Sequence, residues 1–414
     1  MPLSKANKIK ELIIMLTNLE SDSKIGKVAL MSLLFRNITT VINELLSQFR
    51  IITLTGPRQS GKTTLCKSMF PGFAYVNLED ISLREQVKAD PKAFLTAYPD
   101  GLIIDEVHNY PDLFSYLQVI ADQYPKRKFI LTGSSNFNLL ESITQSLAGR
   151  TALLSLMPFS FSEIRDQMRD VSTDTLLLRG FYPSVWCGGQ TRRFFYQNYY
   201  STYVERDVRK ILNVTNLNLF QTFIRLTAGR VGSEFNASAL SNEVGITSKT
   251  VQSWLSILNV SYITFTLPPF FENLGKRLVK SPKIYFYDTG LLCYLLGIEN
   301  EQQMSTHPLR GNIFENMVTA EAMKQIIHQG RVPQLYFYRD RSQNEVDLLY
   351  PKGINYEAFE IKSSQTFSAS FFDGIHYLKN LLKDRISRGA VIYAGREESL
   401  HSENEIIYYK NLSL

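Results

Sequence analysis

The nonapeptide GPRQSGKTT, Gly56 to Thr64, constrains this chain more than any other stretch. It follows the apolar, strand-forming run RIITLTG and leads into TTLCKSMF, which reads as a helix. The spacing G-x-x-x-x-G-K-T requires that order: a strand, a sharply turning loop, and a helix whose first N–H groups face the loop. Glycines at 56 and 61 let the backbone approach phosphate without a Cβ clash. Lys62 would then reach the outer phosphates of ATP, and the Thr63 hydroxyl would ligate Mg2+. Pro57, Arg58, Gln59, Ser60 and Thr64 complete the predicted cradle.

A second strand-like run, GLIIDEV, ends in two acids. Asp105 is suited to hold the Mg2+ shell with Thr63, and Glu106 to orient and deprotonate an attacking water. A third run, KFILTGSS, ends in small hydroxyls, of which Ser134 or Thr132 is placed to sense a γ-phosphate. FAYVNLED and RTALLSLMPFS add two more strands. Strands alternating with helical stretches predict an α/β fold with a parallel sheet covered on both faces and a site at the carboxyl ends of its strands. Arg150, in LAGR, follows a predicted helix. Two readings stay open for it: a phosphate-facing arginine acting in cis or on a neighbouring subunit, or a cation at a helix C-terminus.

These motifs as a set resemble the prokaryotic AAA-type ATPases that carry a poorly characterised C-terminal domain. The resemblance is carried by GPRQSGKTTL, YVNLED followed by DPKAFL, IIDEVHNYPDLF, LTGSSN and SLAGR. It runs from about Leu34 to the C-terminus and includes GFYPSVW (180–186), YVERDVRK (203–210) and KRLVKSPKIYFYDTGL (276–291). It implies a P-loop fold and ATP binding, and leaves the biological role undefined.

At 414 residues the chain exceeds one core. The reading divides it into an N-terminal extension (1–33), an ATPase domain (34–170), a helical linker (171–215), a winged helix-turn-helix (216–290) and a nuclease-like α/β domain (291–414). Met31 is an alternative start. A net charge of +6 permits nucleic-acid binding without requiring it. Three widely spaced cysteines (Cys66, Cys187, Cys293) fit a reducing cytoplasm and exclude a Cys-based zinc site. No apolar run is long enough to span a membrane, and LIIML is too short for a signal-peptide core.

In the middle, RRFFYQNYYSTYVERDVRK invites two readings: a basic-aromatic stripe that stacks on bases, or a helix packing its aromatic residues as core, the commoner case. ASALSNEVG and SKTVQSWLSIL then form a helix-turn-helix pattern with Gly245 at the turn. Lys249, Thr250 and Gln252 lie on the exposed face of its second helix. YITFTLPPF and KIYFYD supply a strand pair whose wing would present Lys276, Arg277, Lys280 and Lys283 to phosphate.

Near the C-terminus, EVDLLY and YEAFEIKSS read as a hairpin. Residues i and i+2 share a strand face, so Glu360 and Lys362 point the same way, and the returning hairpin brings Asp347 to Glu360. Glu315, on a preceding helix, is the third expected oxygen of a Mg2+ site, with Lys362 polarising the nucleophile. The pattern resembles the PD-(D/E)xK nuclease core, with Val346 where proline often stands. The composite expectation is an ATP-hydrolysing protein, dependent on Mg2+, whose nucleotide state governs a module that contacts DNA or other nucleic acid, with cleavage by that module left open. The alternatives are a non-cleaving ATP-dependent switch and a DNA- or partner-binding regulator. An oligomer is compatible with each.

Overall fold

The computed structural model describes residues 34–134, 147, 149–208, 216–270, 281–396, 398–401 and 404–414. The N-terminal extension with Met31, and the wing residues Lys276, Arg277 and Lys280, lie outside them.

Five strands form the first sheet: β1 (Ile51–Thr55), β2 (Ala74–Asn77), β3 (Leu102–Asp105), β4 (Phe129–Thr132) and β5 (Thr151–Ser155). All pair in parallel, in the order β2-β3-β4-β1-β5. β1, β3 and β4 are buried along their whole length, as strands covered on both faces must be. One face packs on the Leu113–Gln123 helix, the other on the Ile38–Gln48 and Lys62–Met69 helices. β4 lies between β1 and β3, so the loop after β1 and the acids ending β3 flank the end of β4.

The aromatic run beyond residue 190 is core. Phe195, Tyr196, Tyr199, Tyr200 and Tyr203 are buried on the Arg192–Tyr199 helix and the π-helix Tyr200–Val208 that continues it. Tyr182 and Tyr199 share a hydroxyl hydrogen bond at 2.7 Å. This excludes a base-stacking stripe for these five rings.

Next come the helices Leu217–Ala228, Ala237–Val244 and Ser248–Val260, then the antiparallel pair β6 (Thr264–Leu267) and β7 (Lys283–Phe286). Asn236 and Thr247 cap the second and third helices, and Gly245 ends the second at φ +79°, a left-handed conformation that favours glycine. Their apolar faces close on Val251, Trp254, Leu255 and Leu258. Lys249 and Gln252 are exposed and Thr250 half-buried.

A six-stranded sheet follows: β8 (Tyr336–Arg339), β9 (Glu345–Lys352), β10 (Asn355–Lys362), β11 (Ile386–Tyr393), β12 (Ser399–His401) and β13 (Asn404–Tyr408), in the order β12-β13-β11-β10-β9-β8. β9 and β10 form the expected antiparallel hairpin, while β10 and β11 run parallel. The Arg310–His328 helix packs between this sheet and the ATPase domain. A single buried cluster runs from Met157 through the helical segments to Leu412, so residues 171–208 are cemented into the molecule on both sides. Among the described residues no helix is long and apolar enough to cross a membrane.

Candidate functional site

The loop after β1 has the backbone that its sequence demands. Gly56 sits at φ +133°, where an added Cβ would lie 2.3 Å from the Leu156 carbonyl oxygen. Gly61 starts the Lys62–Met69 helix at φ +95°, and Gln59 takes φ +61°. Ser60 is fully buried, and its Oγ has no protein partner. Lys62 Nζ donates to the carbonyls of Gly56 at 3.0 Å and Pro57 at 2.9 Å. Among the described residues no carboxylate pairs with it. Burial lowers the ammonium from its usual 10.5 to about 8, against the pull of Glu106 and Asp105. A buried cation resting on two neutral carbonyls, beside an unpartnered hydroxyl, is the donor set an anionic phosphate chain would satisfy.

The acids ending β3 divide the work. Asp105 Oδ2 accepts from Thr63 Oγ1 at 2.8 Å and from the Tyr75 hydroxyl at 2.7 Å, while Oδ1 accepts from Thr132. Thr63 and Asp105 thus meet across the loop and the strand, which fits a shared Mg2+. Glu106 adopts φ +52°, ψ +46°, an uncommon conformation for a non-glycine residue that turns its carboxylate away from the strand line. Its Oε2 accepts from the Ser134 N–H at 3.2 Å and lies 3.1 Å from His108 Nδ1. Burial alone would raise Glu106, but His108, the Lys62 charge and the Ser134 N–H hold it at about 2. It is therefore ionised at neutral pH, as a general base must be.

The structure separates the two hydroxyls that the sequence left open. Thr132 reaches Asp105 with its side chain, whereas Ser134 serves Glu106 through its backbone N–H. Tyr75 and His108 went unnoticed in the sequence. Tyr75 reaches Asp105 through the parallel pairing of β2 with β3, which sets Tyr75 opposite Ile103 and Asn77 opposite Asp105, and no local motif announces it. Arg150 does not join the site in cis. It precedes β5 at the amino edge of the sheet and pairs with Asp122, Nε and a terminal nitrogen lying 3.0–3.2 Å from its oxygens. The five residues of β5 put about 16 Å of strand between Arg150 and the phosphate end.

The second candidate site fares differently. Asp347 and Glu360 come together with Lys362 across β9 and β10: Lys362 Nζ lies 2.5 Å from Glu360 Oε2 and 3.5 Å from Asp347 Oδ2. Asp347 Oδ2 also accepts the Ile361 N–H at 2.8 Å. Burial would raise Asp347, but the Lys362 and Lys283 charges hold it below the usual carboxylate range. Burial and the adjacent Asp347 charge push Glu360 well above it. The expected third oxygen is committed elsewhere. Glu315 Oε1 accepts from Lys283 Nζ at 3.0 Å and from the Tyr285 hydroxyl at 2.5 Å, and the same ammonium lies 2.5 Å from Glu345 Oε1. Burial and the Asp347 charge raise Glu315 to about 6 despite Lys283. Among the described residues no three His, Cys, Asp or Glu side chains are arranged to hold a metal ion.

Lys283 itself corrects the sequence reading. It was expected on an exposed wing, yet only 2% of it is accessible. Burial alone would lower it, but Tyr285 and the carboxylates of Glu315, Asp347 and Glu345 hold it well above its usual value. β7 begins inside the molecule, so its first residue faces carboxylates rather than solvent.

Comparison with known proteins agrees with the first site. Residues 48–165 match the AAA domain family, and this part of the chain is an AAA-type P-loop nucleotide-binding domain. Residues 170–302 match a domain of unknown function (DUF8612), and residues 310–412 another (DUF4143). The chain is 28% identical over 385 residues to uncharacterized protein Rv2008c of Mycobacterium tuberculosis and, equally, to uncharacterized protein Mb2031c of Mycobacterium bovis, covering 91% of this chain and 84% of each relative. Among solved structures, the Walker-type ATPase paby2304 of Pyrococcus abyssi aligns over 62% of this chain and 94% of its own, at 15% identity and a TM-score of 0.40.

Proposed function

We propose that the chain is a Mg2+-dependent ATP hydrolase of the cytoplasm whose nucleotide state acts on its C-terminal half. The observation that carries this is the buried, carbonyl-held ammonium of Lys62 facing the Asp105–Glu106 pair. Gly56 to Gly61 and Lys62 would grip the β- and γ-phosphates. Thr63 and Asp105 would hold Mg2+, which supplies neutralising charge when bound. Glu106, ionised and aimed by the Ser134 N–H, takes a proton from water as that water's oxygen bonds to the γ-phosphorus. The bond to the β–γ bridging oxygen breaks, giving ADP and inorganic phosphate. The test is steady-state ATP hydrolysis by the purified chain. Lys62→Ala should lower turnover by about 100-fold or more. Unchanged turnover would remove the reading.

For the C-terminal half we favour the non-cleaving reading. Its strand order and Asp347–Glu360–Lys362 constellation support a PD-(D/E)xK-like topology, but the Lys283 ammonium lies against Glu315, which a metal ion would need. The helices Ala237–Val244 and Ser248–Val260 with β6 and β7 support a winged helix-turn-helix, in which Lys249, Thr250 and Gln252 remain available to DNA. Arg150, remote in cis and paired with Asp122, keeps two readings: a phosphate-facing arginine for a neighbouring subunit, or a cation at a helix C-terminus. Incubation with single- and double-stranded DNA and RNA in Mg2+ or Mn2+, with and without ATP, tests the choice. Metal-dependent cutting that Lys362→Ala abolishes would overturn it in favour of a nuclease.

A further inference from the structure

The nucleotide loop has a support outside its own motif. Arg36, 5% exposed, lies just before the Ile38–Gln48 helix. One terminal nitrogen donates to the Ser60 carbonyl of the loop at 2.9 Å, the other to the Met157 carbonyl at 2.6 Å, and the guanidinium lies over the Phe159 ring at 4.8 Å. A Cβ on Gly61 would come within 3.6 Å of the first nitrogen. The guanidinium therefore backs the part of the loop that must wrap phosphate.

What holds Arg36 is Glu163, itself held from the C-terminal half of the sequence. Its Nε lies 3.1 Å from Glu163 Oε1. Glu163 is buried and accepts the backbone N–H groups of Asn37 at 2.8 Å and Ser160 at 2.9 Å. His328, the last residue of the Arg310–His328 helix, places Nδ1 3.5 Å from the same Oε1, and its Nε2 accepts the Met157 N–H at 3.1 Å. An accepting Nε2 requires the tautomer that carries its proton on Nδ1, facing Glu163. The same helix fastens the intervening segment twice more: Lys324 Nζ donates to the Phe159 carbonyl at 2.8 Å, and Glu321 accepts the Phe161 N–H at 3.0 Å.

We propose that Arg36 is a positioning residue of the nucleotide loop and that the C-terminal helix sets its position through His328 and Glu163. The ATPase site is then incomplete without the C-terminal half. The helix that steadies the loop also carries Glu315, about 20 Å away at 1.5 Å per residue, so loop and carboxylate pocket share one rigid element. The proposal rests on the nucleotide-binding reading of the loop and goes beyond it.

His328 touches no residue of the loop, so it is the informative place to cut. Mg-ATP affinity of the full chain, measured by calorimetric titration, should fall about tenfold in His328→Leu. It should return to within about threefold of wild type in His328→Gln, whose amide can both accept from Met157 and donate to Glu163. Arg36→Lys keeps the charge but not the reach to two carbonyls. It should weaken binding similarly and combine non-additively with His328→Leu, as members of one network do. If His328→Leu does not fold, Arg36→Lys and Glu163→Gln carry the same test. Wild-type affinity in these variants, with only a lowered melting temperature, would overturn the proposal and leave Arg36 as scaffolding. A wild-type chain that takes up no Mg-ATP would sink the nucleotide reading before any variant is compared.

Discussion

Among the described residues two of the buried lysines each open an element, Lys62 a helix and Lys283 a strand, and they differ in what they face. Lys62 rests on backbone carbonyls, and burial lowers its pKa to about 8. Lys283 lies against Glu315 and Glu345, and its pKa is held well above its usual value. A buried charge without a counter-charge costs free energy that a ligand can recover, while a paired one has little to gain from a ligand. The first pocket is built to receive an anion. The second has its counter-ion built in.

The largest test of that contrast is Lys283→Met. Removing one partner of a buried ion pair typically costs about 3–5 kcal/mol, because the carboxylates left behind stay buried. Urea denaturation should therefore show a clear drop in midpoint. A loss below about 1 kcal/mol, the range of surface pairs, would mean that solvent already screens Glu315 and Glu345 and that the pocket is not closed. Next comes Glu106→Gln, which keeps the shape of the first pocket but removes its base. Hydrolysis should drop by about 100-fold or more while Mg-ATP binding persists, since general-base catalysis is typically worth 10²–10⁴-fold, roughly. Equal loss of binding would show that Glu106 belongs to the grip rather than to the chemistry.

How far the two pockets were legible in the sequence follows from the same contrast. The nucleotide loop is a local structure: Gly56 and Gly61 are dictated by φ values no other residue adopts readily, so nine consecutive residues announce it. The acids follow because a buried strand rarely ends in two carboxylates without use for them. In the C-terminal half, Asp347, Glu360 and Lys362 were legible because a hairpin fixes their register over a short span. Lys283 was not. Its partners stand 32 and 62 residues later, as differences of 315 and 345 from 283, and a lysine opening a strand after basic residues reads as exposed. Only the cis placement of Arg150 is excluded, for a geometric reason: a motif's place in the chain does not say which end of a strand it occupies. Arg36 and His328 are nearly three hundred residues apart, and only the packed helix brings them to one carboxylate.

A smaller effect, with the opposite sign from Lys283→Met, is expected for Lys62→Met in the absence of nucleotide. The folded state holds this ammonium at about 8 against 10.5 when free. Below about pH 8 both states are protonated and the folded one bears the full burial cost. Between 8 and 10.5 the unfolded chain binds more protons, so stability rises with pH across that window. Replacing the lysine with an apolar side chain of similar length should therefore stabilise the nucleotide-free protein by about 1–2 kcal/mol at pH 7, seen as a raised melting temperature, and should abolish the pH dependence. In the wild type, Mg-ATP affinity should fall as pH rises above about 8, because the free loop loses the proton that the phosphates need. A stability that is flat from pH 7 to 10, with unchanged affinity, would mean that Lys62 is not the unpaired cation, only partly offset by Glu106 and Asp105, on which the contrast depends.

The finest distinction lies within the first pocket, between Thr132 and Ser134. Thr132 donates its hydroxyl to Asp105, whereas Ser134 reaches Glu106 through its main chain. Ser134→Ala keeps that N–H and should change turnover by less than about threefold, under roughly 0.7 kcal/mol at 1.4 kcal/mol per tenfold. Thr132→Val removes a donor to a buried carboxylate and leaves it partly unsatisfied, which typically costs about 1–3 kcal/mol; turnover should fall by about fivefold or more on that scale. The reverse ranking would show that the Ser134 hydroxyl turns to the γ-phosphate once nucleotide is bound. The Ser134 side chain would then reorient on binding, and the first pocket would differ from the second in adjusting to its ligand as well as being open.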